Sequence, residues 1–311
     1  MTRRPVRLLA AGAAMLLALA GCATSNPTAG SSPAAGSSAA AGTIKVGSAN
    51  FPESEIIAEA YAQALEAKGV TVERHMQIGA RDIYIAALKD GSVDLVPEYT
   101  GNLLQYLDPK TTAKTPEEVN AALAKASPQG FTTLTPAPAE DKDSYNVTKQ
   151  FSDQNGITSL ADLSKFQGQL KVGGNPELAQ RPYGPKGLTD VYGVPAGKIT
   201  FTAISDAGGP LTVKALKDGS VDMADIYSTT PAITDNGFVT LSDPKNMIMS
   251  QNVVPMISDK VASADVKKTL DSVSAALTTN DLLAMNARNQ GSEKASPAKI
   301  AGDWLKEKKL V

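Results

Sequence analysis

The chain is short of the residues that most chemistry uses. Among 311 residues there is one cysteine, Cys22, and one histidine, His75. A disulfide is excluded, and so is a His/Cys cluster around a metal. With one histidine, most nucleophile–base relays lack their base. No catalytic residue, metal or other cofactor is therefore expected. Aromatic residues make up 5% of the chain, so a site built from rings has few to draw on. Neither sign of charge dominates, with 30 Lys and Arg against 32 Asp and Glu. No polybasic surface is indicated, and no nucleic-acid partner is expected. After the first 21 residues no stretch is apolar enough to span a bilayer, which argues against a channel or permease.

What is present begins with an export signal. Arg3, Arg4 and Arg7 precede an apolar stretch from Leu8 to Ala20, too short for a comfortable span and suited to a secretory leader. It ends Leu19-Ala20-Gly21-Cys22, which resembles a bacterial lipobox. The resemblance implies cleavage of residues 1–21 and a lipid on Cys22. Residues 22–42 follow as an uncharged run of Ser, Ala, Gly, Thr and Pro, a composition that forms a flexible tether. The folded part is thus expected to be held at the extracytoplasmic face of the cell membrane.

The folded part contains one unit twice. ALKDGSVD occupies Ala87–Asp94 and recurs, letter for letter, at Ala215–Asp222. Read on at the same offset, Tyr99 falls on Tyr227. Upstream, Lys45-Val46-Gly47 is echoed by Lys171-Val172-Gly173. Each unit reads strand, helix, strand, helix, strand, the order of an α/β lobe with a mostly parallel sheet. Pro52 and the acidic Glu53 and Glu55 open a first helix, and Thr115 with Glu118 spells a capping box. Boundaries fall near Ala137 and Gly237, with amphipathic helices after residue 264. Both tyrosines lie just past a strand, and ligands of open parallel sheets sit at the carboxyl ends of strands. Two like lobes leave a cleft that can close on a ligand. An exported, tethered, two-lobed chain without a catalytic cluster reads as a solute-binding protein.

Three blocks carry a family resemblance: KVGSANFPES, ALKDGSVDLVPEYTGNLL and ALKDGSVDMADIYSTTPAI. From about Thr43 to Val311 the chain resembles the osmoprotectant-binding proteins of ABC importers. The resemblance implies a type II periplasmic-binding-protein fold. Lobe I is then discontinuous, residues 43–137 and 238–311, and lobe II is residues 138–237. It implies work as a monomer with an ABC permease and its ATPase. It also implies a quaternary-ammonium solute of the glycine betaine or choline type, held in a box of aromatic rings by cation–π attraction. Position by position, Tyr99, Tyr227 and Tyr145 match the cage, and Arg181 matches an arginine that holds a carboxylate. Asn50 and Phe51, before a helix N-terminus, are placed to face the cleft.

The chain also departs from the family's pattern. Ala49 stands where Lys is frequent, Asn102 follows the PEYTG glycine, and Gln251-Asn252 fill a segment where a further cage aromatic is expected. Phe51 and Tyr183 are the nearest substitutes. Asn102, Gln251 and Asn252 beside tyrosines would equally suit an aromatic or polyhydroxylated solute, a polyphenol or sugar-like ligand, on the same fold. A remote reading is an anchored hydrolase using Glu98 with Asp225. Against it, Glu98 falls on Ile226 in the repeat, so the two acids are not equivalent.

Overall fold

A computed structural model describes residues 42–311. The expected leader, Cys22 and the tether up to residue 41 lie outside the described residues. In chain order the first lobe opens with β1 (Ile44–Ala49), α1 (Pro52–Glu66), β2 (Val72–Gly79), α2 (Arg81–Asp90) and β3 (Leu95–Tyr99). It continues with α3 (Thr100–Leu107), α4 (Pro116–Ala126) and β4 (Phe131–Thr133). The second lobe holds β5 (Asp143–Val147), α5 (Lys149–Asn155), β6 (Leu170–Gly174), α6 (Pro185–Tyr192) and β7 (Ile199–Ala203). It then has α7 (Pro210–Lys217), β8 (Met223–Tyr227), α8 (Ala232–Asp235) and β9 (Val239–Thr240). The chain crosses back to β10 (Val253–Ser258) and ends in α9 (Ala264–Ala276), α10 (Thr279–Gln290) and α11 (Pro297–Glu307). No helix among the described residues is long and apolar enough to cross a membrane.

The two sheets have one plan. Their strand orders are β2-β1-β3-β10-β4 and β7-β6-β8-β5-β9. In each, three parallel strands are followed by an antiparallel strand that the chain delivers straight from a crossover, β10 in one and β5 in the other. Strand β9 pairs with β5 through Thr240 and Asn146, so the second sheet runs past residue 237, where the sequence boundary was set. The reason is a ladder: the backbone groups of Val239 and Thr240 find their partners on β5 before the chain turns back.

The repeated octapeptide makes the same fastening in both lobes. Helix α2 ends at Gly91 with φ 80°, and the equivalent turn after α7 uses Gly219 with φ 74°, a left-handed conformation that glycine adopts without steric cost. The aspartate that closes each copy then ties the turn to the equivalent parallel strand, β1 in the first lobe and β6 in the second. Asp94 Oδ2 accepts from the Lys45 amide at 2.9 Å, and Asp222 Oδ2 accepts from the Lys171 amide at 2.9 Å. The Lys45 ammonium donates to the Gly91 carbonyl at 2.8 Å, and that of Lys171 to the Gly219 carbonyl at 2.6 Å. A Cβ on Gly47 would stand 3.1 Å from Val93, and one on Gly173 would stand 3.0 Å from Val221. The Lys-Val-Gly echo and the Gly-Ser-Val-Asp turn are therefore two halves of one contact.

Helix α1 is the centre of the first lobe. Its apolar residues, from Ile56 to Leu65, are buried against α9, α10 and α11. Trp304, the one tryptophan of the chain, lies in this cluster on α11. The second lobe has its own core around Tyr145, Val172, Tyr183 and Met223.

Candidate functional site

A cavity of about 580 Å³ lies at the carboxyl ends of the parallel strands, lined from both lobes. Six aromatic residues line it, Phe51, Tyr84, Tyr99, Tyr106, Tyr183 and Tyr227, and three of these rings are in contact. Tyr99 ends β3, Tyr227 ends β8, and Phe51 is the residue before α1. Phe51 lies 6.1 Å from Tyr99 and 5.5 Å from Tyr227, centroid to centroid, with interplanar angles of 35° and 60°. One ring of the first lobe thus joins its own tyrosine to that of the second. Burial pushes both tyrosine hydroxyls well above their ordinary pKa, so both stay neutral.

The first tyrosine is fixed by a buried carboxylate. The Tyr99 hydroxyl donates to Glu53 Oε1 at 2.7 Å. Glu53 Oε2 accepts from the Thr229 hydroxyl at 2.5 Å and from Asn286 Nδ2 at 2.6 Å. Thr229 belongs to the loop after β8, so this junction spans the lobes. Asp141, on the first crossover, accepts from the Ser228 hydroxyl and the Thr229 amide, both at 3.0 Å. The Tyr-Ser-Thr block therefore carries one ring and two lobe-to-lobe ties. Burial, then the Glu53 carboxylate, push Asp141 well above the ordinary carboxylate range. The second tyrosine is held more lightly, accepting from Asn175 Nδ2 at 3.3 Å.

Of the residues expected at the site, Tyr99, Tyr227, Asn50, Phe51, Asn102 and Arg181 line the cavity. Tyr145 does not. Its ring is buried in the second core and its hydroxyl donates to the Tyr183 carbonyl at 2.8 Å. It shares a strand face with Asp143, which does line the cavity, but lies two residues deeper, about 7 Å along the strand. Gln251 and Asn252 are also outside the cavity. Gln251 is fully buried, and its Oε1 accepts from the Asn102 amide at 2.9 Å. Asn252 Nδ2 donates to the Ala137 carbonyl at 3.0 Å. Gln251 thus satisfies a first-turn amide of α3, and Asn252 a carbonyl of the first crossover. The glycine of PEYTG belongs here too: a Cβ on Gly101 would meet the Ser250 carbonyl at 2.5 Å and Gln251 Nε2 at 2.8 Å.

Asn102 bridges the lobes. Its Nδ2 donates to Asp143 Oδ2 at 3.1 Å, and the Tyr183 hydroxyl shares its proton between Asp143 Oδ2 at 2.7 Å and Asn102 Oδ1 at 2.9 Å. Burial, and next the Asp143 carboxylate, hold the nearby Asp225 well above the usual carboxylate range. With Asp141, these acids line one wall of the cavity.

Sequence reasoning also missed Arg81. It opens α2 at the rim of the same cavity, just past the carboxyl end of β2, where the strand-end rule would have pointed. Its Nε and Nη2 donate to the two oxygens of the fully buried Glu98 at 2.8 and 2.9 Å. Glu98 also accepts from the Tyr84 hydroxyl at 2.8 Å and the Tyr99 amide at 2.9 Å. Burial works against the Arg81 charge, but the Glu98 carboxylate outweighs it and raises the guanidinium further above its ordinary value. Both oxygens of Glu98 are thus engaged by groups of the protein itself.

Two sheets of one order, joined by two crossovers around a ring-lined cleft, define a two-lobed binding protein of the type II periplasmic fold. More narrowly, the chain belongs to the family described as the substrate-binding domain of ABC-type glycine betaine transport systems, whose model matches residues 42–307. It is 27% identical over 285 residues to the glycine betaine-binding protein YehZ of Escherichia coli, covering 85% of this chain and 90% of that one. It is also 27% identical over 283 residues to a glycine-betaine-binding protein of Pseudomonas aeruginosa, covering 86% and 89%. Among solved structures, that of a glycine betaine/carnitine/choline ABC transporter superposes with a TM-score of 0.70 at 20% identity, covering 86% of this chain and 99% of that one.

Proposed function

We propose that this chain is the extracytoplasmic solute-binding subunit of an ABC importer and takes a quaternary-ammonium compatible solute of the glycine betaine or choline type. The carrying observation is the ring trio. Phe51, Tyr99 and Tyr227 lie within one ring-to-ring contact of each other, drawn from both lobes. Faces so arranged attract a methylated cation, each well-placed ring contributing about 0.5–2 kcal/mol. A cation beside Asp141, Asp143 and Asp225 would draw these acids back towards their charged forms, which favours the same sign of ligand. The two relatives named for glycine betaine support the same class. Binding draws the lobes together, since the groups that touch the ligand come from both, and the closed form is handed to a permease driven by an ATPase. The protein acts as a monomer, tethered through a lipid on Cys22 at the outer face of the cell membrane.

The aromatic or polyhydroxylated alternative loses its main support, because Gln251 is spent on an amide of α3, Asn252 on the first crossover and Asn102 on the lobe-to-lobe bridge. A hydrolase is disfavoured by the fourfold occupation of Glu98. Calorimetric titration with glycine betaine, choline, carnitine and proline betaine tests the reading. Saturable binding of at least one is expected. No heat from any of the four at millimolar concentration would overturn it.

A further inference from the structure

The repeat leaves two large apolar side chains in water. Ile83 on α2 is 51% exposed and Leu211 on α7 is 62% exposed, the two highest values for large apolar side chains among the described residues. They are separated by the offset of the octapeptide, so each takes the same place in its lobe. One exposed aliphatic residue needs no explanation. A matched pair does, because the copies have diverged around it. Arg81-Asp82 precede Ile83 where Gly209-Pro210 precede Leu211, and Tyr84 follows where Thr212 follows. The apolar character of this one exposed point has outlasted its neighbours.

Each of the two is fastened to the cavity wall. The Ile83 amide donates to the Ala80 carbonyl at 3.0 Å, and the Leu211 amide to Asp206 Oδ2 at 2.6 Å. Ala80 and Asp206 both line the ligand cavity. The apolar tips therefore stand beside its mouth, one on each lobe, and a body that covers both covers the mouth. From each tip an exposed stripe runs along the helix, through Ala86 to Lys89 on α2 and through Lys214 to Lys217 on α7. The stripes end alike. Asp90 and Asp218 turn back to accept from the Ser92 and Ser220 amides at 2.8 and 3.1 Å. Lys214 is paired with Asp218, but Lys89 and Lys217 make no ion pair among the described residues. Each helix thus presents an apolar tip and, about 9 Å further along its axis, a free ammonium.

We propose that the exposed faces of α2 and α7 are the docking surface for the importer's permease, each lobe seating on one half of it. Ile83 and Leu211 enter apolar sockets, and Lys89 and Lys217 meet carboxylates beside those sockets. The occupant follows from the pairing and from the charge. A partner with a single binding patch would need only one of the two faces. A membrane partner that passes one solute along a central path has two halves around that path, and the lobes offer a matched contact to each. The free ammoniums call for acidic rims on both. The proposal rests on the importer reading above and adds where the partner sits.

The test separates docking from capture. In cells that lack this gene, uptake of radiolabelled glycine betaine and choline is measured after restoring the full chain, Ile83→Glu, Leu211→Glu, or Val311→Glu, a change at an exposed apolar residue outside the repeat. The purified proteins are titrated with the same two solutes. Ile83→Glu and Leu211→Glu are each expected to lower the initial uptake rate at least about fivefold with affinity within about twofold, and Val311→Glu to change neither. Lys89→Glu and Lys217→Glu made together are expected to lower uptake about threefold by the same route. Uptake unchanged in either apolar variant, or a loss that follows a loss of affinity, overturns the surface. So does a dimer of the unaltered chain that these variants dissociate in sedimentation, since the occupant is then a second copy. Those results leave the solute-binding function standing, provided that the unaltered protein binds either solute. An unaltered chain that binds neither, or binds without restoring uptake, overturns the importer reading and the surface with it.

Discussion

The two lobes share their frame and differ in their walls. Asp94 and Asp222 make the same bond to the amides of Lys45 on β1 and Lys171 on β6, at 2.9 Å in both. Tyr99 and Tyr227 leave the third parallel strand at the same point. Just before those tyrosines the copies part. Pro97-Glu98 in the first lobe stand where Asp225-Ile226 stand in the second. In the first, Pro97 lines the cavity and the fully buried Glu98 behind it anchors Arg81. In the second, the acidic Asp225 takes the place of Pro97 in the lining. The tyrosines differ likewise, one locked to a buried Glu53, the other touching Asn175 at 3.3 Å. The duplicated part is what any such lobe needs to fold. The diverged part separates a rigid half of the site, which exists before binding, from a lighter half that completes it.

The largest break in this comparison is expected at Glu53. Glu53→Ala leaves the Tyr99 hydroxyl, Thr229 and Asn286 without their shared acceptor, at a cost of about 3 kcal/mol in stability. Asn175→Ala, its counterpart beside Tyr227, is expected to cost about 1 kcal/mol or less, since that bond is long and only partly buried. Urea unfolding of both variants checks the contrast; equal losses would mean that the two tyrosines are held alike. A smaller effect, and an equal one, is expected from Asp94→Ala and Asp222→Ala. Each loses one partly buried bond to a backbone amide, about 1–2 kcal/mol. A difference above about 1 kcal/mol between them would show that the repeat is not energetically a repeat.

A further effect depends on pH and belongs to the second lobe alone, because Pro97 cannot titrate. Asp225 has its pKa raised above the ordinary 3.8 in the folded, ligand-free state, by burial and by Asp143. A carboxyl raised on folding contributes stability that is complete below its unfolded pKa and is lost as pH rises through the folded value. Asp225→Asn should therefore stabilise the ligand-free protein at neutral pH, by about 1.4 kcal/mol for every tenfold gain in proton affinity that folding imposes on the carboxylate, and the gain should fade below about pH 4. Thermal melts at pH 7 and pH 3.5 measure it. A gain that is the same at both would mean that Asp225 is not strained by its charge.

Much of the frame was legible in the sequence because it is local or repeated. The capping box at Thr115 and Glu118 forms as written, and the octapeptide marks the same turn twice. Tyr99, Tyr227 and Phe51 follow from the rule that sites sit at strand ends. What was not legible depends on pairing across the crossovers. Strand β5 runs antiparallel to β8, so Asp143, at its first residue, faces the cleft while Tyr145 falls beneath Tyr183. Two residues along a strand decide between wall and core, and nothing in the segment DSYNV states where the cleft begins. Gln251 and Asn252 were placed in the wall for the same reason: their partners, Asn102 and Ala137, are more than a hundred residues away.

The position of Trp304 has a practical side. The only indole of the chain is packed on α11 among residues of the first lobe, such as Ile57, Leu270 and Leu305. These neighbours all belong to the first lobe, so on the closure proposed above its emission is expected to stay constant with occupancy. An optical reporter of ligand capture placed on the second lobe would have Trp304 as its single, constant tryptophan background.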